Sequence, residues 1–223
     1  MLRLCADAIA VVSLLVAGVQ ALAAAADPVA DNAALHYWRA FSVFPSLSDK
    51  QEESLRAAIE KPGPIHEETA KMIELGRASL KELHRGAACS RCVWGTPLEE
   101  GAEVLLPHCA KVRQLVRLAC ARAHLRFQQH RPAEAIDDLM AAMTLGRHLA
   151  DDRIIICLMV DFAVERQAIG AAARHLGQLQ AAQLDDFAAR LDRLPPALTM
   201  RQAIQSEKEF LLEGFIRDLS GPN

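Results

Sequence analysis

Residues 108–150, HCAKVRQLVRLACARAHLRFQQHRPAEAIDDLMAAMTLGRHLA, decide the fold class of this protein. Apolar residues recur there at steps of three and four, which is the period of one face of an α-helix. Pro132 suits the first turn of a helix but not its interior, so it separates two helices. The two apolar stripes are Val112, Leu115, Val116, Ala119, Cys120, Ala123 and Phe127, and then Ile136, Leu139, Met140 and Met143. The stretch therefore predicts a pair of amphipathic helices joined by a short turn.

Helix start and stop signals continue on both sides of this stretch. Ser48 and Thr199 each precede a glutamine by three residues, which is the pattern of a capping box. Strand-like alternation is absent from residue 31 onward. These start and stop signals predict eight helices, over 32–44, 48–60, 64–84, 108–129, 132–150, 152–176, 181–194 and 199–219. Helices with such short connections predict an all-α fold, an antiparallel array of helical hairpins.

Two segments of this array are unusual. The predicted helix 152–176 is apolar nearly all round at its start, so we expect it to be the central, buried helix. Residues 85–101, RGAACSRCVWGTPLEEG, form the one long stretch that is predicted to be non-helical.

Composition limits the class of protein. The chain has 223 residues, of which 52% are apolar and 24% charged, a balance that excludes intrinsic disorder and disulfide-knot scaffolds. Aromatic residues are only 4%, which disfavours β-sandwiches and barrels. Lys and Arg number 25 against 28 Asp and Glu, so a net charge of −3 gives no bulk attraction to nucleic acid.

Residues 1–26 have the pattern of a secretory signal peptide. Arg3 supplies a positive n-region, residues 9–22 form an apolar run, and small residues then offer cleavage sites before Asp27. The run is shorter than the ~20 residues of a spanning helix, which favours cleavage over an uncleaved N-terminal anchor. The sequence therefore predicts a signal peptide followed by a single all-α domain, 27–223. We expect that domain to be exported to the periplasm or outside the cell, with no membrane span after cleavage.

Short motifs spread along the chain resemble those of a family of exported bacterial proteins to which no activity is assigned. They are NAAL (32–35), YW (37–38), AF (40–41), CVWG (92–95), Gly101, LPH (106–108), Arg113, GRHL (146–149), AVERQAI (163–169), LPP (194–196) and EKEFLL (207–212). This resemblance implies an exported, helical, single-domain protein. The 108–150 pair also resembles one tetratricopeptide-type hairpin, with EA at 134–135, but no 34-residue period repeats.

The most specific chemical motif is the C-x-x-C pair formed by Cys89 and Cys92. Haem attachment would need a histidine where Val93 stands. Three alternatives remain: a structural disulfide involving Cys89 or Cys92, free thiols, or a zinc site completed by His108 and Cys109. An oxidising compartment after export favours the disulfide.

On the predicted helix 152–176, Glu165 has apolar residues around it and follows Asp161 by one helical turn. A buried carboxylate without a partner costs several kcal/mol, so we expect it to be paired. Counting along antiparallel neighbours predicts Arg122 or His124 as the partner, and places Arg147 too far away. The alternative is that Glu165 belongs to a ligand-binding or catalytic site.

Enzyme signatures are missing from the sequence. It contains no G-x-S-x-G, no P-loop, no G-x-G-x-x-G and no complete H-E-x-x-H. No cofactor is predicted, and an enzyme is disfavoured. The sequence favours an exported interaction or scaffold module of the cell envelope with a protein partner and no nucleic acid. The alternative is an envelope enzyme or small-ligand-binding protein with a site near Glu165 and the 85–101 loop.

Overall fold

The computed structural model describes residues 31–61 and 63–220, in which nine α-helices and no β-strand are found. The α-helices are α1 (Ala33–Ser42), α2 (Asp49–Glu60), α3 (Glu67–Leu75), α4 (Arg77–Ala87), α5 (Pro107–Gln128), α6 (Pro132–Ala150), α7 (Ile155–Ala173), α8 (Ala181–Leu191) and α9 (Met200–Ser220). Two 3₁₀-helices, Leu98–Glu103 and Leu176–Gln178, lie in the connections. The predicted all-α fold class is confirmed. The predicted signal peptide, 1–26, lies outside the described residues.

Helices α5 and α6 form the hairpin that the sequence predicts. Every residue of their two apolar stripes is buried. Pro132 occupies the first turn of α6, and His130 in the turn before it has a left-handed backbone with a φ of 58°. Burial of both stripes removes their apolar area from water and so stabilises the pair.

The central helix is α6, which corrects the expectation that helix 152–176 holds this position. α6 packs against α4, α5, α7 and α8. α7 is covered by α5 and α6 on one side, whereas Ile156, Met159 and Phe162 on its other side are about half exposed. The apolar residues at the start of α7 therefore lie on two sides of the helix, one packed in the core and one open to solvent. No helix of the described residues has both the length and the apolar character needed to cross a membrane.

The remaining helices surround this core. α1 packs against α4, where a Cβ atom on Gly86 would collide with the ring of Tyr37, so glycine permits the close approach. α2 and α3 pack on α5, and α8 packs on α6. α9 lies across the Leu98–Glu103 3₁₀-helix and the start of α7.

One predicted helix, 64–84, is two helices in the structure. α3 ends at Leu75 and α4 begins at Arg77, with Gly76 between them. A Cβ atom at Gly76 would overlap the side chain of Leu118 on α5. Glycine at this position therefore lets the chain between α3 and α4 lie close to α5, a contact that helical periodicity alone does not reveal.

Candidate functional site

Glu165 forms its ion pair with Arg147, so the predicted partners, Arg122 and His124, are wrong. The prediction started α7 several residues too early, whereas the helix begins only at Ile155. This later start moves Glu165 toward the end of α6 that carries Arg147. The long arginine side chain spans the remaining distance.

Asp161 completes this charged cluster between α6 and α7. Its side chain is fully buried, and neither carboxylate oxygen has a hydrogen-bond partner among the described residues. Nη1 of Arg147 lies 3.9 Å from Oδ2 of Asp161. Burial, and then the charge of Glu165, raise the pKa of Asp161 to about 7. The cluster is a buried charge centre in the helix interface.

Arg122 belongs to a different network, which joins α4, α5 and α6. Its guanidinium donates to both oxygens of Asp138, at 2.9 and 2.5 Å, and Arg126 donates to the same carboxylate at 2.7 Å. Nε2 of His84 lies 2.7 Å from Oδ1 of Asp138. Burial raises the pKa of Asp138, but the hydrogen bonds from His84 and Arg122 outweigh it, so the pKa lies below its usual value. This arrangement is a satisfied structural network.

His124 pairs with another histidine instead of Glu165. Its Nδ1 lies 2.7 Å from Nε2 of His175, and its Nε2 lies 2.9 Å from the carbonyl oxygen of Gly63. Phe127 stacks on the ring of His175 at 4.3 Å. Burial, and then the neighbouring His124, lower the pKa of His175 to about 4. The pair fastens the loop before α3 to the core.

Cys89 and Cys92 lie where α4 ends and the long loop begins. Sγ of Cys89 donates to the carbonyl oxygen of Arg85 at 3.4 Å, and Cys92 is buried. The loop is held to the start of α1, because the side chain of Asn32 bonds both the N–H and the carbonyl of Val93. Both cysteines are free thiols in the structure. The disulfide stays a prediction.

His108 and Cys109, the other half of the predicted zinc set, come together with Cys157 rather than with the C-x-x-C pair. One ligand atom from each of these three residues lies within 4.8 Å of the others. The sulfurs of Cys109 and Cys157 are 3.7 Å apart. The hydrogen bond between them lowers the pKa of Cys109 to about 7 and raises that of Cys157. Oδ2 of Asp152 lies 3.4 Å from Nε2 of His108.

An aromatic cluster supports this group from the α1 side. The indole of Trp94 stacks on the His108 ring at 4.8 Å and an interplanar angle of 15°. Its N–H donates to the carbonyl oxygen of His148 at 2.8 Å. Tyr37 and Phe41 also stack on the indole of Trp94, with ring centroids 5.6 and 6.2 Å away. The 85–101 loop is therefore anchored in the core through Trp94.

The open side of α7 carries a row of large apolar side chains. Ile156, Met159, Phe162 and Ile169, which we call the α7 face, are 54, 58, 45 and 55% exposed. They follow one another at three- and seven-residue steps, so they lie on one side of the helix. Aligned exposure of this kind differs from the scattered apolar residues of an ordinary surface.

A cleft of about 520 Å³ lies beside the α7 face, between α2, α5 and α7. It is lined by five arginines, Arg56, Arg113, Arg117, Arg166 and Arg174, and we call it the arginine cleft. Glu60 is the one acidic residue among its described lining residues. Arg113, Arg117 and Arg166 form no ion pair or hydrogen bond within the described part of the chain. Within the described residues, these three guanidinium groups are therefore unpaired.

A second cleft, of about 620 Å³, borders the 85–101 loop. Its lining includes Cys89, Ser90, Thr144 and His148. Burial lowers the pKa of His148 to about 4, so this imidazole is neutral at pH 7. Glu165 lines neither cleft.

The fold defines an all-α protein built on a buried helical hairpin. No known protein-family model matches the chain, and comparisons with curated proteins and with solved structures find no similar protein. The family resemblance of the short motifs remains an expectation. The sites must therefore be interpreted from their own geometry.

Sequence reasoning missed the roles of Cys157 and Arg147. Cys157 lies in an apolar helix, 48 residues beyond Cys109, and no spacing rule connects the two. For Arg147, a signal existed: Asp161 stands one turn before Glu165, and two carboxylates on one helix face need a nearby cation.

Proposed function

We propose that this protein is an exported interaction module of the cell envelope that binds an acidic, amphipathic helix of a partner protein. The α7 face beside the arginine cleft is the observation that carries the proposal. The export and the envelope location are inferred from residues 1–26, whose pattern is that of a secretory signal peptide.

The α7 face supplies apolar anchoring points. Its side chains remain about half exposed although the helix is otherwise packed, and Arg166 is the single charged residue among the exposed positions between Ile156 and Ile169. Helices that dock on grooves present apolar residues at i, i+3, i+4 and i+7 to such a surface. An incoming helix would remove this apolar area from water.

The arginine cleft supplies the charge selectivity. Three guanidinium groups without ion pairs stand beside the apolar row, in a protein whose net charge is −3. Complementary charge steers encounter and excludes like-charged partners. Nucleic acid fits less well, because no aromatic side chain lines the cleft for base stacking. An amphipathic helix with apolar and acidic residues would contact the α7 face and the arginine cleft at the same time.

A photo-crosslinking amino acid at Phe162 tests the proposal in cells that naturally make the protein. We expect a discrete adduct with another protein, and a crosslinked peptide that contains both apolar and acidic residues. The matched control is Leu75 on α3, which is 67% exposed and remote from the α7 face. It should give no such adduct.

Charge reversal sharpens the test. Arg113→Glu combined with Arg117→Glu should reduce the Phe162 adduct by about tenfold or more, because like charges then face each other. Arg39→Glu with Lys81→Glu changes the net charge equally on exposed residues outside the cleft and should leave the adduct unchanged. An adduct with lipid or with a second copy of this chain, or one insensitive to charge reversal, contradicts the proposal.

A second candidate function is small-ligand binding at the cleft that borders the 85–101 loop. Its volume of about 620 Å³ and its mixed lining, with Thr144 and His148, favour this alternative. Glu165, which was expected at such a site, is instead paired with Arg147. An enzyme is disfavoured, because the thiol and hydroxyls that line this cleft donate to other groups and, among the described residues, none is hydrogen-bonded to a histidine.

A further inference from the structure

Three ligand-type side chains meet at the starts of α5 and α7, and none of them lines either cleft. His108 and Cys109 are the second and third residues of α5, and Cys157 is the third residue of α7. Their exposures are 2, 8 and 0%.

Two distances in this group match edges of a zinc coordination tetrahedron. With Zn–S distances of about 2.3 Å, tetrahedral angles put two thiolate sulfurs about 3.8 Å apart. The sulfurs of Cys109 and Cys157 are 3.7 Å apart. The same geometry puts a histidine nitrogen and a carboxylate oxygen about 3.4 Å apart. Nε2 of His108 and Oδ2 of Asp152 are 3.4 Å apart.

His108 supplies an independent observation. Its Nε2 atom is buried and has no hydrogen-bond partner in the described residues. Buried polar atoms almost always have a hydrogen-bond partner. Nε2 has the Asp152 oxygen 3.4 Å away without a hydrogen bond, and one nitrogen of this ring lies within 4.8 Å of both sulfurs, so a bound ion would satisfy the group. A disulfide would supply no partner for this ring, and it would need the sulfurs to approach to about 2.05 Å.

We propose that His108, Cys109 and Cys157 bind one Zn²⁺ ion, with the carboxylate of Asp152 as the fourth ligand. Neighbouring side chains hold the ligands in place: Trp94 stacks on His108, and Thr96 donates to Oδ2 of Asp152 at 2.5 Å. With Asp152, which is partly buried, beside the three buried ligands, the protein would fill all four positions, as in a structural site rather than a catalytic one. The ion ties the start of α5 to the start of α7 and to the turn between α6 and α7.

Zinc titration of the full chain tests this inference. Protein that is reduced and freed of metal should take up one equivalent of Zn²⁺ in competition with a chromogenic chelator. Cys157→Ser and His108→Gln should each weaken binding by about 100-fold or more, since loss of a supporting residue alone costs 10–100-fold. Cys120→Ser is the matched control, because Cys120 is a fully buried thiol of α5 outside the group. It should bind zinc as the unmodified protein does.

Two measurements on the unmodified protein keep the test valid if a variant misfolds. Co²⁺ should give the charge-transfer absorption of thiolate ligands. Relative to the metal-free protein, Zn²⁺ should slow the alkylation of Cys109 and Cys157 and leave that of the partly buried Cys89 unchanged. Less than about one-tenth of an equivalent of bound zinc, equal binding by Cys157→Ser, or a Cys109–Cys157 disulfide in protein purified without reductant would overturn the inference. The crosslinking at Phe162 does not depend on the outcome.

Discussion

Asp161 is a carboxylate that the fold buries without a hydrogen bond. Its pKa is raised to about 7 by burial and by Glu165, against about 3.9 in an unfolded chain. The folded protein therefore holds this proton more tightly than the unfolded chain does. The stability that the protonated form contributes is fully present below about pH 4 and is lost as the pH rises to about 7.

Asp161→Asn removes this pH dependence, since the amide does not ionise. We expect the variant to have a free energy of unfolding about 1–3 kcal/mol higher than the unmodified protein at pH 8. The gain should shrink toward zero by pH 4.5. Urea unfolding at pH 4.5, 6 and 8 measures it.

Asp185→Asn is the matched control for this prediction. Asp185 is exposed on α8, so its substitution should change stability by no more than about 0.5 kcal/mol at any of the three pH values. If the effect of Asp161→Asn were the same at all three, Asp161 would titrate as an ordinary surface carboxylate and the buried-charge interpretation would be wrong.

At the scale of elements, close helix packing depends on single glycines. Gly86 brings α4 against the ring of Tyr37, which is fully buried on α1. A methyl group there has no space, because the ring is held by Trp94 and His148. Gly170 on α7 is the opposite case, since a Cβ atom there would meet nothing within 4 Å.

Gly86→Ala and Gly170→Ala form a matched pair of substitutions. The first should lower the free energy of unfolding by about 1–3 kcal/mol through overpacking. The second should raise it by about 0.5–1 kcal/mol, because alanine favours the helical backbone. Denaturant unfolding of both variants measures the difference. Equal effects of the two substitutions would mean that the α1–α4 contact is looser than the structure indicates.

At the scale of the whole molecule, the proposed export depends on the first residues of the chain. We expect the mature protein to begin between Ala24 and Asp27, where small residues follow the apolar run. Intact-mass analysis of protein from fractionated native cells checks this. Leu15→Arg, which places a charge in the apolar run, should block cleavage and leave the full-length chain inside the cell. A full-length, membrane-bound species of the unmodified protein would instead indicate an uncleaved anchor.

Local signals determined where most helices lie. The stripes of α5 and α6, Pro132 and the capping box at Ser48 all depend on neighbours within one or two helical turns. Such interactions are encoded in adjacent residues, so the sequence alone predicts them. The all-α class and the central hairpin follow from these signals.

Only the tertiary structure decided which residues meet. The partner of Glu165 depends on where α7 starts and on how closely Gly146 lets it approach, since a Cβ there would lie 2.5 Å from Oδ1 of Asp161. The α7 face is open because α5 and α6 cover only the opposite side of this helix. Cys157 reaches Cys109 across 48 residues. These contacts join residues that are far apart in the sequence, and they depend on how the helices pack together. No local sequence pattern predicts them.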